Sequence, residues 1–141
     1  MWLMVAGGEG LPVGAHLDPA SPAEVSMGFK ALKAVGVPRA RGAPRQIPKR
    51  LIAKRGYYSG FVRRLLARQG TDPIIPYQRS VKNRHYDHGR KLCRYRRRWK
   101  IERLFAWLGH CRRLVVRYDR NILMYRGFFH VACLIITLRQ Y

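Results

Sequence analysis

Tyr95, Arg98 and Glu102 stand at i, i+3 and i+7, so on a helix all three share one face. Glu102 is the one acid between Asp87 and Asp119, and it lies in a run of arginines. Two chemistries fit such a carboxylate. It can form a surface ion pair with Arg98, four residues earlier, or it can ligate a divalent cation inside a phosphate-binding groove. Around it, Arg94, Arg96, Arg97, Arg98 and Lys100 are interleaved with Tyr95 and Trp99, and Arg112, Arg113, Arg117 and Arg120 follow. Guanidiniums pair with phosphate oxygens and aromatic rings stack or pack beside them. The cluster is therefore expected to contact DNA rather than to be a merely solvated helix face.

Other reactive side chains offer less. His85, His88 and Cys93 lack a fourth ligand at a zinc spacing and fall in a basic loop that disfavours a dication. His130 and Cys133 share a helix face among apolar neighbours and read as a core pair. His110 and Cys111 are a helix-end pair with no third partner for nucleophilic chemistry. No helix-turn-helix or finger pattern is present, so no DNA sequence preference is legible.

The elements that position these groups follow from periodicity and punctuation. Trp2 to Ala6 and Leu11 to Leu17 are short apolar segments around Gly7-Gly8-Glu9-Gly10, which predicts a hairpin. Ser21-Pro22-Ala23-Glu24 reads as a cap and first turn leading into a helix that stops near Gly36. Val37 to Lys49, with Pro38, Pro44 and Pro48, is a basic loop. A strand at Arg50 to Ala53, a helix from a Ser59 cap to Gly70 and a strand within Asp72 to Pro76 make a βαβ-like unit, which argues for an α/β sheet. Tyr77 to Lys91 reads as a loop or lid. Two helices close the chain. Tyr95 to about Leu108 carries Ile101, Leu104, Phe105 and Leu108 on one face, and Ile122 to about Leu138 carries Ile122, Tyr125, Phe129, Ala132, Cys133 and Ile136. The run Val131 to Leu138 reads as the buried end of the second helix, too short to span a bilayer.

Composition narrows the partner. The chain holds 29 Lys and Arg against 7 Asp and Glu in 141 residues, a formal net charge of +22, which asks for a polyanion. With 48% hydrophobic residues it can also bury a core, so the basicity belongs to a folded domain and not to a disordered tail. Cys93, Cys111 and Cys133 match neither a disulfide framework nor a CxxC pattern, pointing to a reducing, cytoplasmic setting, where a DNA partner would place the chain at the nucleoid. The first residues lack the basic start and apolar run of a signal peptide.

The run RYRRRWKIERLFAWLGHCRRLVVRYDRNILMYRGFFHVACLIITLRQ resembles the C-terminal part of bacterial insertion-sequence transposases of the DDE type. PKRLIAKRGYYSGFVRRLLARQGTDPIIPYQRS and GEGLPVGAHLDPASPAEV resemble the same family, so the likeness covers nearly the whole chain. Its most specific element is the Tyr-x2-Arg-x3-Glu spacing of Tyr95, Arg98 and Glu102. The resemblance implies a ribonuclease-H-like α/β domain with an N-terminal hairpin, a mixed sheet and two C-terminal helices. It also implies two magnesium ions held by two aspartates and a glutamate, with Glu102 at the third acid.

This sequence departs from the family pattern in three places. The second aspartate is expected just before Arg55-Gly56-Tyr57, where Lys54 stands, and a charged lysine repels a cation instead of ligating it. The resemblance places the first aspartate on a strand upstream of Trp2. Residues 1–141 are accordingly expected to form one incomplete catalytic domain with an exposed sheet edge. The lysine that follows the family's glutamate is replaced at the seventh position by Gly109, the nearest bases being Arg112 and Arg113. With Glu102 alone of the three acids, the expectation is that magnesium is not bound and that DNA is bound, not cut, through Tyr95, Arg96, Arg97, Arg98, Lys100, Arg112 and Arg113. Two functions stay open. One is a transposase remnant; the other is a non-enzymatic basic DNA-binding protein that inhibits transposition. The partners that go with them are DNA, a separate chain carrying the missing strand, and a second copy of this chain, with no membrane.

Overall fold

A helix that starts in the expected loop organises the chain. In the computed structural model, residues 2–17, 24–78, 89–116, 118 and 120–140 are described. The elements are β1 (Trp2–Ala6), β2 (Pro12–Leu17), α1 (Glu24–Lys33), β3 (Arg50–Ile52), α2 (Gly60–Arg68), β4 (Asp72–Ile74), α3 (Gly89–Tyr95), α4 (Trp99–Gly109), α5 (Arg112–Val115) and α6 (Ile122–Leu138). Between α3 and α4, Arg96–Arg98 forms a 3-10 turn whose flanking residues Tyr95 and Trp99 keep right-handed helical dihedrals. Residues 89–109 are therefore one helical rod, tightened at three consecutive arginines and beginning six residues before the predicted start at Tyr95. The rod and α5 bring the C-terminal helices beyond the two expected. The Ser21 cap, His85 and His88 lie outside the described residues.

The hairpin forms as read. β1 pairs antiparallel with β2 from Trp2 opposite Leu17 to Val5 opposite Gly14, and the register shifts between Val5 and Ala6. Gly10 closes the turn at φ +87°, a left-handed conformation that suits glycine. The βαβ reading also holds: β3 and β4 pair in parallel, joined through α2. Gly70, at φ +76°, ends the turn after α2, and the Thr71 N–H donates to the Leu66 carbonyl at 2.9 Å. Ser59 occupies the N-cap of α2 in extended backbone, but its side chain makes no capping bond. At α6 the cap is Asn121, whose side chain accepts from the Leu123 N–H at 2.9 Å.

The expected single mixed sheet is corrected. Among the described residues the strands fall into two two-stranded ladders, β1–β2 and β3–β4. The segment between α1 and β3 supplies no linking strand because its prolines interrupt it, and its pairing is one antiparallel bridge, Val37 to Arg45. Each ladder has its own core. Met4, Leu104, Leu108, Phe129, Ala132 and Ile136 bury together, with Trp2 packed against them. Val62, Leu66 and Ile75 form the second core beneath Phe29, Leu32 and Leu51. Thr71, 2% exposed, donates from its hydroxyl to the Pro48 carbonyl at 2.8 Å, pinning the start of β4 to the entry of β3.

α1 lies against both units because β2 leaves room for it. A Cβ at Gly14 would meet Val35 Cγ2 at 2.9 Å and the Ala31 carbonyl oxygen at 3.0 Å, so the helix approaches as closely as a missing side chain allows. Phe129, 2% exposed, stacks on Trp2 with centroids 3.6 Å apart. Trp2 Nε1 donates to the Tyr125 hydroxyl at 3.2 Å, which donates to the Leu114 carbonyl at 2.8 Å. These contacts join the hairpin, α5 and α6.

Three readings of burial are corrected. Phe105 is 41% exposed and Ile122 46% exposed, outside the apolar faces assigned to them. His130 is exposed while Cys133 is half-buried, so they are not a core pair. Within Val131 to Leu138 only Ala132 and Ile136 are buried. The rest of the face read for this helix, with Tyr125, Phe129, Ala132 and Ile136, is buried on the side of the hairpin and α4. Gly14→Ala is expected to lower unfolding stability by about 1–3 kcal/mol through overpacking, and Phe129→Ala by about 3–5 kcal/mol. Urea unfolding followed by circular dichroism checks both.

Candidate nucleic-acid interface

Glu102 is placed by the rod. Leu104 and Leu108 bury one stripe of α4 against Met4 and Phe129, which turns Glu102 to the opposite, solvent side. There Arg98 Nη2 contacts Glu102 Oε1 at 2.7 Å, and the Arg98 guanidinium lies 5.5 Å from the Tyr95 ring centroid. The three residues singled out by spacing thus form one contiguous chain of ring, cation and carboxylate. The pair is the surface ion pair that the spacing allowed. Its side chains are 34% and 52% exposed, and its Arg-before-Glu order is the weaker helical orientation.

The neighbouring cations divide into two groups. Lys100 donates from Nζ to the Gly8 carbonyl, and Arg103 Nη2 donates to the Glu9 carbonyl at 3.3 Å, so α4 grips the hairpin turn. Arg103 is also sandwiched by Trp99 and Trp107, with centroids at 4.7 and 4.6 Å, and its Nε is buried without a hydrogen-bond partner. This clamp escaped the sequence reading, although Trp99, Arg103 and Trp107 at i, i+4 and i+8 were a signal for it. Arg113 lies 4.6 Å from the Phe128 ring. Arg96, Arg97 and Arg112 are exposed. Of the residues expected to touch DNA, Lys100 is thus committed to the fold, Arg98 and Arg113 are partly engaged, and Arg96, Arg97 and Arg112 face solvent.

Lys54 follows β3 in extended backbone at φ −62°, just before the 3-10 turn Arg55–Tyr57, and is exposed. Arg63 ties α2 to the segment that follows β4. Its Nη2 donates to the Ile75 carbonyl at 2.5 Å, and its guanidinium lies 4.4 Å from the Tyr77 ring and 5.3 Å from Tyr58. Lys54 thus follows a strand, whereas Glu102 lies in the first turn of α4 with Arg98 beside it. Among the described residues no group of three or more His, Cys, Asp or Glu is close enough to hold a metal ion. The two positions matched by the resemblance do not suit a dication: the Glu102 carboxylate carries a guanidinium, and the Lys54 ammonium stands where a second carboxylate is expected.

The profile of the transposase DDE domain family matches residues 1–137. The chain belongs to that family. A putative transposase for insertion sequence element IS402 from Burkholderia cepacia is 35% identical over 141 residues, covering 97% of this chain and 63% of that protein. This transposase-family chain therefore spans less than two thirds of that relative's length. No solved structure matches it. No helix among its described residues is long and apolar enough to cross a membrane.

An apolar hollow of about 160 Å³ beside α4 is lined by Trp2, Phe105, Leu114 and Phe129 among others, and offers no group for phosphate chemistry. The cysteines differ in reactivity. Cys93 is exposed, whereas the Cys133 thiol is pushed up to about 11 by burial, with Cys111 beside it adding to the shift. A maleimide at neutral pH should label Cys93 first and reach Cys133 only on unfolding, as mass spectrometry of the labelled peptides would show. Glu102→Gln should change stability by less than about 0.5 kcal/mol. Arg103→Ala should cost about 1–3 kcal/mol, because it removes two ring contacts and a turn bond.

Proposed function

We propose that this chain is a DNA-binding part of a ribonuclease-H-like transposase domain, holding DNA through its basic rod without cutting it. The observation that carries the reading is the pairing of Glu102 with Arg98 on the outer face of the rod, beside the exposed Arg96 and Arg97. Such a face neutralises phosphates along a duplex and releases counterions. In the family, divalent ions activate the attacking oxygen and stabilise the leaving one. Here Lys54 brings positive charge to the position of a ligand, and Glu102 would have to leave Arg98 to reach an ion. Magnesium binding and strand transfer are therefore not assigned to this chain.

The same features suit a competitor of active transposases for DNA at the nucleoid. This second reading is favoured by Lys54, since a base there strengthens DNA binding where an acid would serve cleavage. A separate chain that pairs with the outer edges of β1 and β3 is a further partner of this reading. Among the described residues each of those strands pairs on one side only.

The test is plasmid nicking with magnesium or manganese by the purified chain, Lys54→Asp and Glu102→Ala, beside a gel-shift series over salt. The expected outcome is a DNA shift without nicked circles. Replacing Arg96, Arg97 and Arg112 by alanine should flatten the log–log salt slope by about one for each phosphate left without its arginine. Nicking that Glu102→Ala abolishes would overturn the inactive reading, and an unchanged salt slope would overturn the assignment of the DNA face.

A further inference from the structure

α6 is apolar on both of its long faces. Its inner face, Tyr125, Phe129, Ala132 and Ile136, is buried against α4 and the hairpin. On the opposite face Leu123, Met124, Val131, Leu134, Ile135 and Leu138 are each 45% to 67% exposed. A helix that is hydrophobic all round belongs inside a protein or a bilayer, and this one is too short to span a membrane. A second helix of protein suits such a strip.

Spacing and charge say which protein. Met124, Gly127, Val131, Leu134 and Leu138 follow the alternating three- and four-residue steps of a helix–helix seam. No charged side chain lies between Arg126 and Arg139, in a chain of net charge +22. Two copies meeting along the rod would oppose arginine to arginine, whereas along this strip they meet apolar surface to apolar surface. A two-fold axis at Val131 with α6 helices antiparallel sets Met124 against Leu138 of the partner subunit. The same arrangement lays Ile135 over Gly127 of the partner subunit, a position where a Cβ would meet nothing within 4 Å.

We propose that the outer face of α6 is the self-association surface of this chain, closed by α6 of a second copy in an antiparallel, two-fold pair centred on Val131. The proposal is independent of whether the chain binds or cuts DNA. Salt should strengthen the pair, because it screens the repulsion between the two basic bodies while leaving the apolar contact in place.

Sedimentation velocity of the full chain tests it, at low and high salt. The mass should rise to that of a dimer with protein concentration, at lower concentration in high salt. Val131→Lys sets two ammoniums together at the axis and should weaken association by about tenfold or more. Its circular dichroism should match the parent, since Val131 faces outward. A second measurement reads the register. Val131→Cys should form a disulfide-linked dimer under mild oxidation above the level of the unmutated chain. Leu123→Cys should not, because the antiparallel pair separates its two copies by ~24 Å along the axis. A parent chain that stays monomeric at both salt concentrations would overturn the proposal. So would a Val131→Lys chain that associates like the parent, or Leu123→Cys linking as readily as Val131→Cys.

Discussion

The rod of residues 89–109 is the constraint on which the rest of the structure depends, because it ties two small β units that do not pair with each other. At its start Lys91 reaches Asp72 at 3.3 Å, at the head of β4. Toward its end Leu104 and Leu108 bury against Met4, while Lys100 and Arg103 hold the hairpin turn by its carbonyls. Two-stranded ladders have little stability alone. Each gains it from a helix, α2 packing beneath β3 and β4 while α4 and α6 cover β1.

A shortage of acids shapes how the arginines are accommodated. With 29 basic and 7 acidic side chains, most guanidiniums have no carboxylate to meet. Arg63, Arg103 and Arg113 lie over aromatic rings, and Arg63 and Arg103 also donate to backbone carbonyls. A guanidinium is weakly hydrated and planar, so it tolerates such half-buried stacking better than an ammonium does. The consequence is functional. Basic residues close in sequence separate into those that hold the fold and those that stay open to a polyanion.

The two positions that the resemblance assigns to metal ligands sit in unlike settings. Glu102 faces away from the core of α4 because Leu104 and Leu108 claim the inner stripe, and Arg98 meets it from the preceding turn. Lys54 follows the end of β3 in extended backbone and is exposed. A dication draws its affinity from several converging anions, and these two side chains bring one anion and one cation.

What the sequence determined by itself was local. Alternating apolar residues around a glycine turn specified the hairpin, the helix-strand punctuation specified the parallel unit, and the i, i+3, i+7 spacing specified that Tyr95, Arg98 and Glu102 share a face. The charge balance pointed to a polyanion, and the ordered motifs pointed to the family. Periodicity picked the inner face of α6, with Tyr125, Phe129, Ala132 and Ile136; only the tertiary structure showed that the apolar residues opposite stay exposed, because periodicity defines a face but not the elements that cover the rest. It alone separated Lys100 and Arg103, whose partners lie some ninety residues away, from Arg96 and Arg97 beside them. It also carried the rod back to Gly89, through a stretch where like charges obscured any helical pattern and where anchoring at both ends keeps the helix unbroken.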